Sequence, residues 1–113
     1  MSPVAELATA QLVAYNAADL DGFCACYHSD VVVLDADGKV TLKGKDAFRE
    51  RYQPMFDQGQ FGATVDGRLV VGPHCVEREH YSRVGVSGET VSGSVLVRYT
   101  ERDGAIALVQ FLR

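Results

Sequence analysis

The sequence predicts an α+β fold: three helices packed on one side of a curved, mostly antiparallel six-stranded sheet. Three observations carry this. Apolar residues recur at helical spacing over 4–15, 20–27 and 48–56. From residue 61 onward, runs of alternating apolar and polar residues are separated by glycine turns. The resulting order, α-α-β-β-α-β-β-β-β, puts the helices in the first half and leaves the strands to pair with one another.

The first helix starts at Ser2-Pro3, a hydroxyl cap followed by a proline at the first helical position. Val4, Leu7, Ala8, Gln11, Leu12 and Tyr15 form its inner stripe, apolar except for Gln11. Asp19 caps a short second helix whose apolar face is Leu20, Phe23, Cys24 and Tyr27. The period then changes. Val31-Val32-Val33-Leu34-Asp35 is a β-branched strand, Asp37-Gly38 a hairpin turn, and Lys39 to Lys43 the return strand. After Gly44 a third helix sets Phe48, Tyr52, Met55 and Phe56 on one face, with Pro54 thinning it before Gly59 stops it. Four strands follow: Phe61 to Val71, Cys75 to Val84, Val91 to Thr100 and Ala105 to Leu112.

Hairpin parity assigns faces. A two-residue loop at Gly72-Pro73 pairs Val71 with His74, Leu69 with Val76, Gly67 with Arg78 and Val65 with His80. Arg78 and His80 then share the apolar face, and Arg68 meets Glu77 on the opposite side. One bulge would invert this and turn Glu77 and Glu79 inward. In the last hairpin, Gly104 suits the left-handed third position of a three-residue loop. Val95, Val97, Tyr99, Ala107, Val109 and Phe111 then take one side, and Leu96, Arg98, Ile106, Leu108 and Leu112 the other. Helices cover only one face, so the apolar outer face predicts a homodimer formed sheet to sheet.

Composition bounds the function. The 113 residues make a single domain, 1–113, with 47% hydrophobic and 23% charged residues. The net charge of −4 is scattered and no two basic residues adjoin, which excludes a phosphate-tracking surface for nucleic acid. No apolar run approaches the ~20 residues that span a bilayer. The opening residues lack a basic segment, so no signal peptide is expected. Three cysteines, an odd number, fit reduced thiols and a cytoplasmic setting.

Residues 15–23 (Tyr15-Asn16-Ala17-Ala18-Asp19-Leu20-Asp21-Gly22-Phe23) and 27–35 (Tyr27-His28-Ser29-Asp30-Val31-Val32-Val33-Leu34-Asp35) together resemble the opening of the nuclear transport factor 2-like superfamily, in its SnoaL-like and ketosteroid isomerase-like branches. The likeness continues through Gly44-Lys45-Asp46-Ala47-Phe48-Arg49-Glu50-Arg51-Tyr52 and Asp103-Gly104-Ala105-Ile106. It implies a cone-shaped roll, a strongly bent sheet against three helices with a deep pocket open at one end. The same scaffold hosts isomerases, cyclases, dehydratases, epoxide hydrolases and non-catalytic binders. Ketosteroid isomerases use a carboxylate base and two acidic donors. By the resemblance, the base position falls on Asp35, the tyrosine donor on Gln11 and the aspartic acid donor on Val95. Gln11 can donate a hydrogen bond; Val95 cannot.

The residues offer their own candidates. Asp35 closes an apolar run and shares a face with Val31 and Val33, which suits a general base; the plainer reading is a solvated aspartate at a hairpin mouth. Arg78 and His80, if inward, can bind an anionic or carbonyl group or exchange a proton with Asp35, and if outward are edge-strand polar residues. Gln11 and Tyr15 lie one helical turn apart on the buried stripe and must find polar partners or face a cavity. Tyr52, Phe56, Tyr99 and Phe111 are pocket wall or core. Cys24 and His28 share a helix face but Cys26 does not, and no second ligand pair follows, so no metal is expected. Nor is there a phosphate-binding glycine loop. The expected function is a small-molecule pocket with Asp35 and His80 as catalytic residues and Gln11, Tyr15, Tyr52, Phe56, Arg78, Val95, Tyr99 and Phe111 as ligand-binding ones. It would bind a compact apolar carbonyl compound and perform cofactor-free proton abstraction or water activation. A non-catalytic binder of the same fold is the alternative, and a protein-binding adaptor the third.

Overall fold

A computed structural model describes residues 2–113. Helices α1 (Val4–Asn16), α2 (Leu20–Ala25) and α3 (Lys45–Gln58) pack on one face of a sheet. The strands are β1 (Tyr27–Leu34), β2 (Val40–Lys43), β3 (Phe61–Val71), β4 (His74–Val84), β5 (Thr90–Arg102) and β6 (Ala105–Leu112). Spatial order is β2-β1-β6-β5-β4-β3. Only β1 and β6 run parallel; every other neighbouring pair is antiparallel. The expected α+β architecture and order of elements are the observed ones, but Tyr27, expected on the face of the second helix, instead opens β1, four residues before the expected strand start at Val31.

The local signals act as their chemistry dictates. Ser2 Oγ accepts the Val4 N–H at 3.3 Å, and Pro3 occupies the cap position itself, one residue before its expected place. The Asp19 carboxylate accepts the Gly22 N–H at 3.0 Å and starts α2. Gly59, at φ 73°, ends α3 with its N–H on the Met55 carbonyl; the helix runs four residues past Pro54 before stopping. The core joins the stripes so placed: Val4, Ala8, Phe23, Phe48, Val31, Val97 and Ile106 are all at most 2% exposed.

Two bulges overturn parts of the face assignment. The β3–β4 register is as expected from Val71↔His74 back to Gly67↔Arg78, and then slips at Asp66, so that Val65 faces Glu79 and Thr64 faces His80. Because side chains alternate, one extra residue reverses everything beyond it. Cys75, Glu77 and Glu79 turn toward the helices, Glu77 being 1% exposed. Arg78 and His80, expected inside, lie outside. The Arg68–Glu77 pair forms as predicted but on the helix side, where Arg68 also reaches Thr9. Leu69 and Val71 go outward, 75% and 78% exposed.

The last turn is tighter than expected. Arg102 pairs with Ala105, leaving a two-residue loop with both Asp103 and Gly104 at positive φ, 55° and 82°. A register shift follows between Thr100 and Glu101, opposite Ala107, and turns Ile106, expected outside, into the core. Beyond it, Val97↔Phe111 and Tyr99↔Val109 pair on the inner face as predicted.

Candidate functional site: a two-chambered pocket under the bent sheet

The inner face of the sheet and the helices do not close completely on one another. They leave an inner chamber of about 140 Å³ whose polar wall is Gln11, Tyr15, Tyr27, Tyr99 and Glu79. Beside it, toward the β1–β2 hairpin, lies a wider recess of about 540 Å³ bounded by Val33, Leu34, Asp35, Thr41 and Arg51. Tyr52, Met55, Phe111 and Arg113 line both, so the two spaces share a wall.

Gln11 is the hinge of the polar wall. It is 5% exposed on the inner stripe of α1. Its Nε2 donates to the Ala8 carbonyl at 3.0 Å and to the Tyr99 hydroxyl oxygen at 3.2 Å, while its Oε1 accepts the Tyr27 hydroxyl at 2.9 Å. Tyr99 is therefore an acceptor toward Gln11, which leaves its own O–H to donate elsewhere. Burial pushes both hydroxyls, of Tyr27 and Tyr99, well above the ordinary phenol range. Tyr15 is pushed up to about 12 by burial, with Glu79 adding to the shift, and Tyr52 is raised by burial too. These phenols stay protonated at any physiological pH and serve as hydrogen-bond groups, not as bases.

Glu79 is the chamber's one carboxyl. Its own pKa is raised, first by burial and then by the neighbouring Glu77 charge, with the Arg113 guanidinium pulling the other way. It holds its proton to a higher pH than an exposed glutamate does. Its charge also raises the pKa of Tyr15, Tyr27, Tyr52 and Tyr99.

Asp35 lines the recess, not the inner chamber. Its Oδ1 accepts the N–H groups of Asp37 and Lys39, both at 2.9 Å, and so ties down the β1–β2 turn. Gln110 on β6 donates to the Asp35 carbonyl at 3.1 Å and fixes the residue from the other side.

Of the other expected site residues, Gln11, Tyr15, Tyr52, Val95, Tyr99 and Phe111 come together around the inner chamber. Phe56 lines neither space; it is 6% exposed within the aromatic cluster of Tyr15, Phe23, Tyr52 and Phe61, because its turn of α3 faces α1 and α2 and not the opening. Arg78 and His80 stand on the far side of the sheet, bound to Asp66 at 2.5 and 2.8 Å, with His80 also 2.6 Å from Ser94. The bulge at Asp66 put them there and put Glu79 inside. Asp66-Gly67 in mid-strand was the available signal for that bulge. Arg83 and Arg113, also missed, flank the Tyr81 ring at 5.6 and 6.0 Å at the edge of the chamber.

The sequence model of the SnoaL-like domain matches residues 8–109. The chain belongs to the SnoaL-like domain family. No curated protein sequence matches it. Among solved structures, this SnoaL-like chain is similar to an uncharacterized cystatin-fold protein from Novosphingobium aromaticivorans, at 27% identity over 100% of this chain and 99% of that one, with a TM-score of 0.87. It is similar to RV0760c from Mycobacterium tuberculosis, solved in complex with estradiol-17beta-hemisuccinate, at 17% identity over 100% and 95% of the two chains, TM-score 0.87. It is also similar to a Delta 5-3-ketosteroid isomerase from Mycobacterium sp., at 18% identity over 98% and 92%, TM-score 0.83. At these identities the last two establish a shared fold, that of the nuclear transport factor 2-like cone.

Proposed function

We propose that this SnoaL-like domain binds a compact, mostly apolar carbonyl compound in the two-chambered pocket and moves a proton at the carbon beside the carbonyl, without a cofactor. The observation that carries this is the pairing of an apolar recess bearing Asp35 with an adjoining chamber walled by protonated phenols and a half-buried carboxyl. A recess of about 540 Å³ falls within the ~300–1,000 Å³ of typical small-molecule sites. In the reaction the Asp35 carboxylate takes the proton from the carbon, the C–H electron pair forms the enolate, and the proton returns to carbon or is replaced from water. In this reading the Tyr99 hydroxyl, which is free to donate, stabilises the enolate oxygen. The binding of a steroid hemisuccinate by one protein of this fold and the isomerase activity named for another support the ligand class and the chemistry.

The test is deuterium incorporation beside the carbonyl of 2-tetralone in heavy water, followed by NMR. Wild-type protein should accelerate exchange over buffer and over an unrelated protein of equal carboxylate content; exchange at the background rate contradicts catalysis. A second reading, ligand binding without catalysis, is favoured by the two N–H groups already on Asp35 Oδ1. It predicts saturable 2-tetralone binding with background exchange.

We also propose that two copies associate through the outer sheet face, where Leu69, Val71 and Leu96 are exposed. Light scattering at micromolar concentration should give twice the 12.3 kDa chain mass; a monomer mass contradicts it.

A further inference from the structure

The inner chamber has a size and a chemistry of its own. Its volume of about 140 Å³ is that of a cavity that takes one benzene ring, ~150 Å³. It therefore has room for a single six-membered ring, while the remainder of a larger molecule must stay in the recess. Its wall is aromatic and aliphatic through Phe23, Phe48, Val95 and Val109, and its polar groups are phenols, one amide, one carboxyl and, at the edge, the guanidinium groups of Arg83 and Arg113.

The position of that carboxyl is specific. Glu79 on β4 is the direct register partner of Val95 on β5, on the same inner face. Cross-strand neighbours of this kind carry their Cβ atoms about 4.5–5.5 Å apart. Val95 lines the chamber but offers no polar atom. The adjoining strand supplies a carboxyl at the same level of the chamber. The next inward residue of β4 on one side, Glu77, is engaged by Arg68, at 2.6 Å from the Arg68 Nε, and is turned toward α1 through that ion pair. The residue on the other side, Tyr81, sits at the edge beneath Arg83 and Arg113. Of the carboxyls on β4, Glu79 alone lines the chamber.

We propose that Glu79 grips the ligand's oxygen: the ligand enters ring first, and the carbonyl or phenol oxygen on that ring is hydrogen-bonded by the Glu79 carboxyl opposite Val95. This rests on the pocket reading above and narrows it to molecules with a terminal oxygenated six-membered ring, preferred over purely hydrocarbon ligands and over compounds with the oxygen on a branched or bulky end. The raised pKa of Glu79 agrees with it, since a protonated carboxyl donates where a carboxylate cannot.

The experiment compares 2-naphthol with naphthalene, which share a shape and differ by one hydroxyl. Wild-type protein should bind 2-naphthol about tenfold more tightly, the worth of one well-made hydrogen bond in a buried site. Glu79→Met should bring the two affinities to within about twofold while leaving naphthalene binding nearly unchanged, and Glu79→Gln, which keeps a hydrogen-bonding group, should restore most of the preference. The wild-type protein offers an independent readout. With carbon-13 in the glutamate carboxyls, the Glu79 resonance, identified by its loss in Glu79→Gln, should move on adding 2-naphthol and stay put with naphthalene. An unchanged preference in Glu79→Met, or a Glu79 resonance indifferent to 2-naphthol, overturns the proposal even if both probes bind. Failure of wild-type protein to bind either probe overturns the pocket reading and this inference with it.

Discussion

Arg68→Met is expected to destabilise the protein by about 3–5 kcal/mol. Glu77 is 1% exposed, and the Arg68 guanidinium, at 2.5–2.6 Å from its Oε2, is its only ion-pair partner among the described residues. The other oxygen, Oε1, is buried without a hydrogen bond. Removing the guanidinium leaves a carboxylate in the interior between β4 and α1 with nothing to offset its lost hydration. Methionine preserves the length of the stem, so the loss reports the charge more than the packing. The double variant Arg68→Met, Glu77→Met should recover most of the stability, because replacing both members of a buried pair by apolar residues is often neutral or favourable. Urea denaturation measures all three. A loss below about 1 kcal/mol in the single variant, the range of an exposed ion pair, would mean that water reaches Glu77.

Asp35→Asn is expected to lower 2-tetralone exchange by about 10²–10⁴-fold, the usual contribution of a positioned general base. The substitution is chosen because an asparagine Oδ1 can still accept the Asp37 and Lys39 N–H groups that the aspartate accepts at 2.9 Å. The turn should therefore survive, and binding of 2-tetralone should change by less than about threefold while the rate collapses. An unchanged rate assigns the proton transfer to another group. A fall in rate and in thermal stability together would mark Asp35 as a turn residue whose loss disturbs the recess.

Most of the fold was legible because its signals are local. Asp19 before the second helix, Gly59 after the third and the turn at Asp37-Gly38 each act within a few residues. The family likeness supplied the bend of the sheet and the pocket, neither of which periodicity reports. The site was only half legible. Gln11, Tyr15, Tyr52, Tyr99 and Phe111 lie on elements whose inward face follows from an unbroken stripe. Arg78 pairs before the slip at Asp66 and Glu79 and His80 after it; the slip parts Val65 from the face of Leu69 and Val71, so parity that assumes one shared face gives the opposite answer from the one the chain adopts. Whether a glycine in mid-strand marks a bulge depends on how sharply the sheet must bend over the helices. That is a property of the whole fold and not of the strand. Ile106 was missed for the same reason, at the slip beside Thr100. Phe56 failed differently: its helix face was right, but a face that is buried can meet other side chains as easily as a cavity.

The surest check on the pocket is a crystal structure of the protein with 2-tetralone bound. The account predicts the ketone ring in the inner chamber with its oxygen within hydrogen-bond distance of the Glu79 carboxyl or the Tyr99 hydroxyl. The second ring should lie in the recess between Met55 and Phe111, and the carbon beside the carbonyl should face Asp35. A ligand seated outside both chambers, or one whose oxygen points to bulk water from the recess, would contradict it.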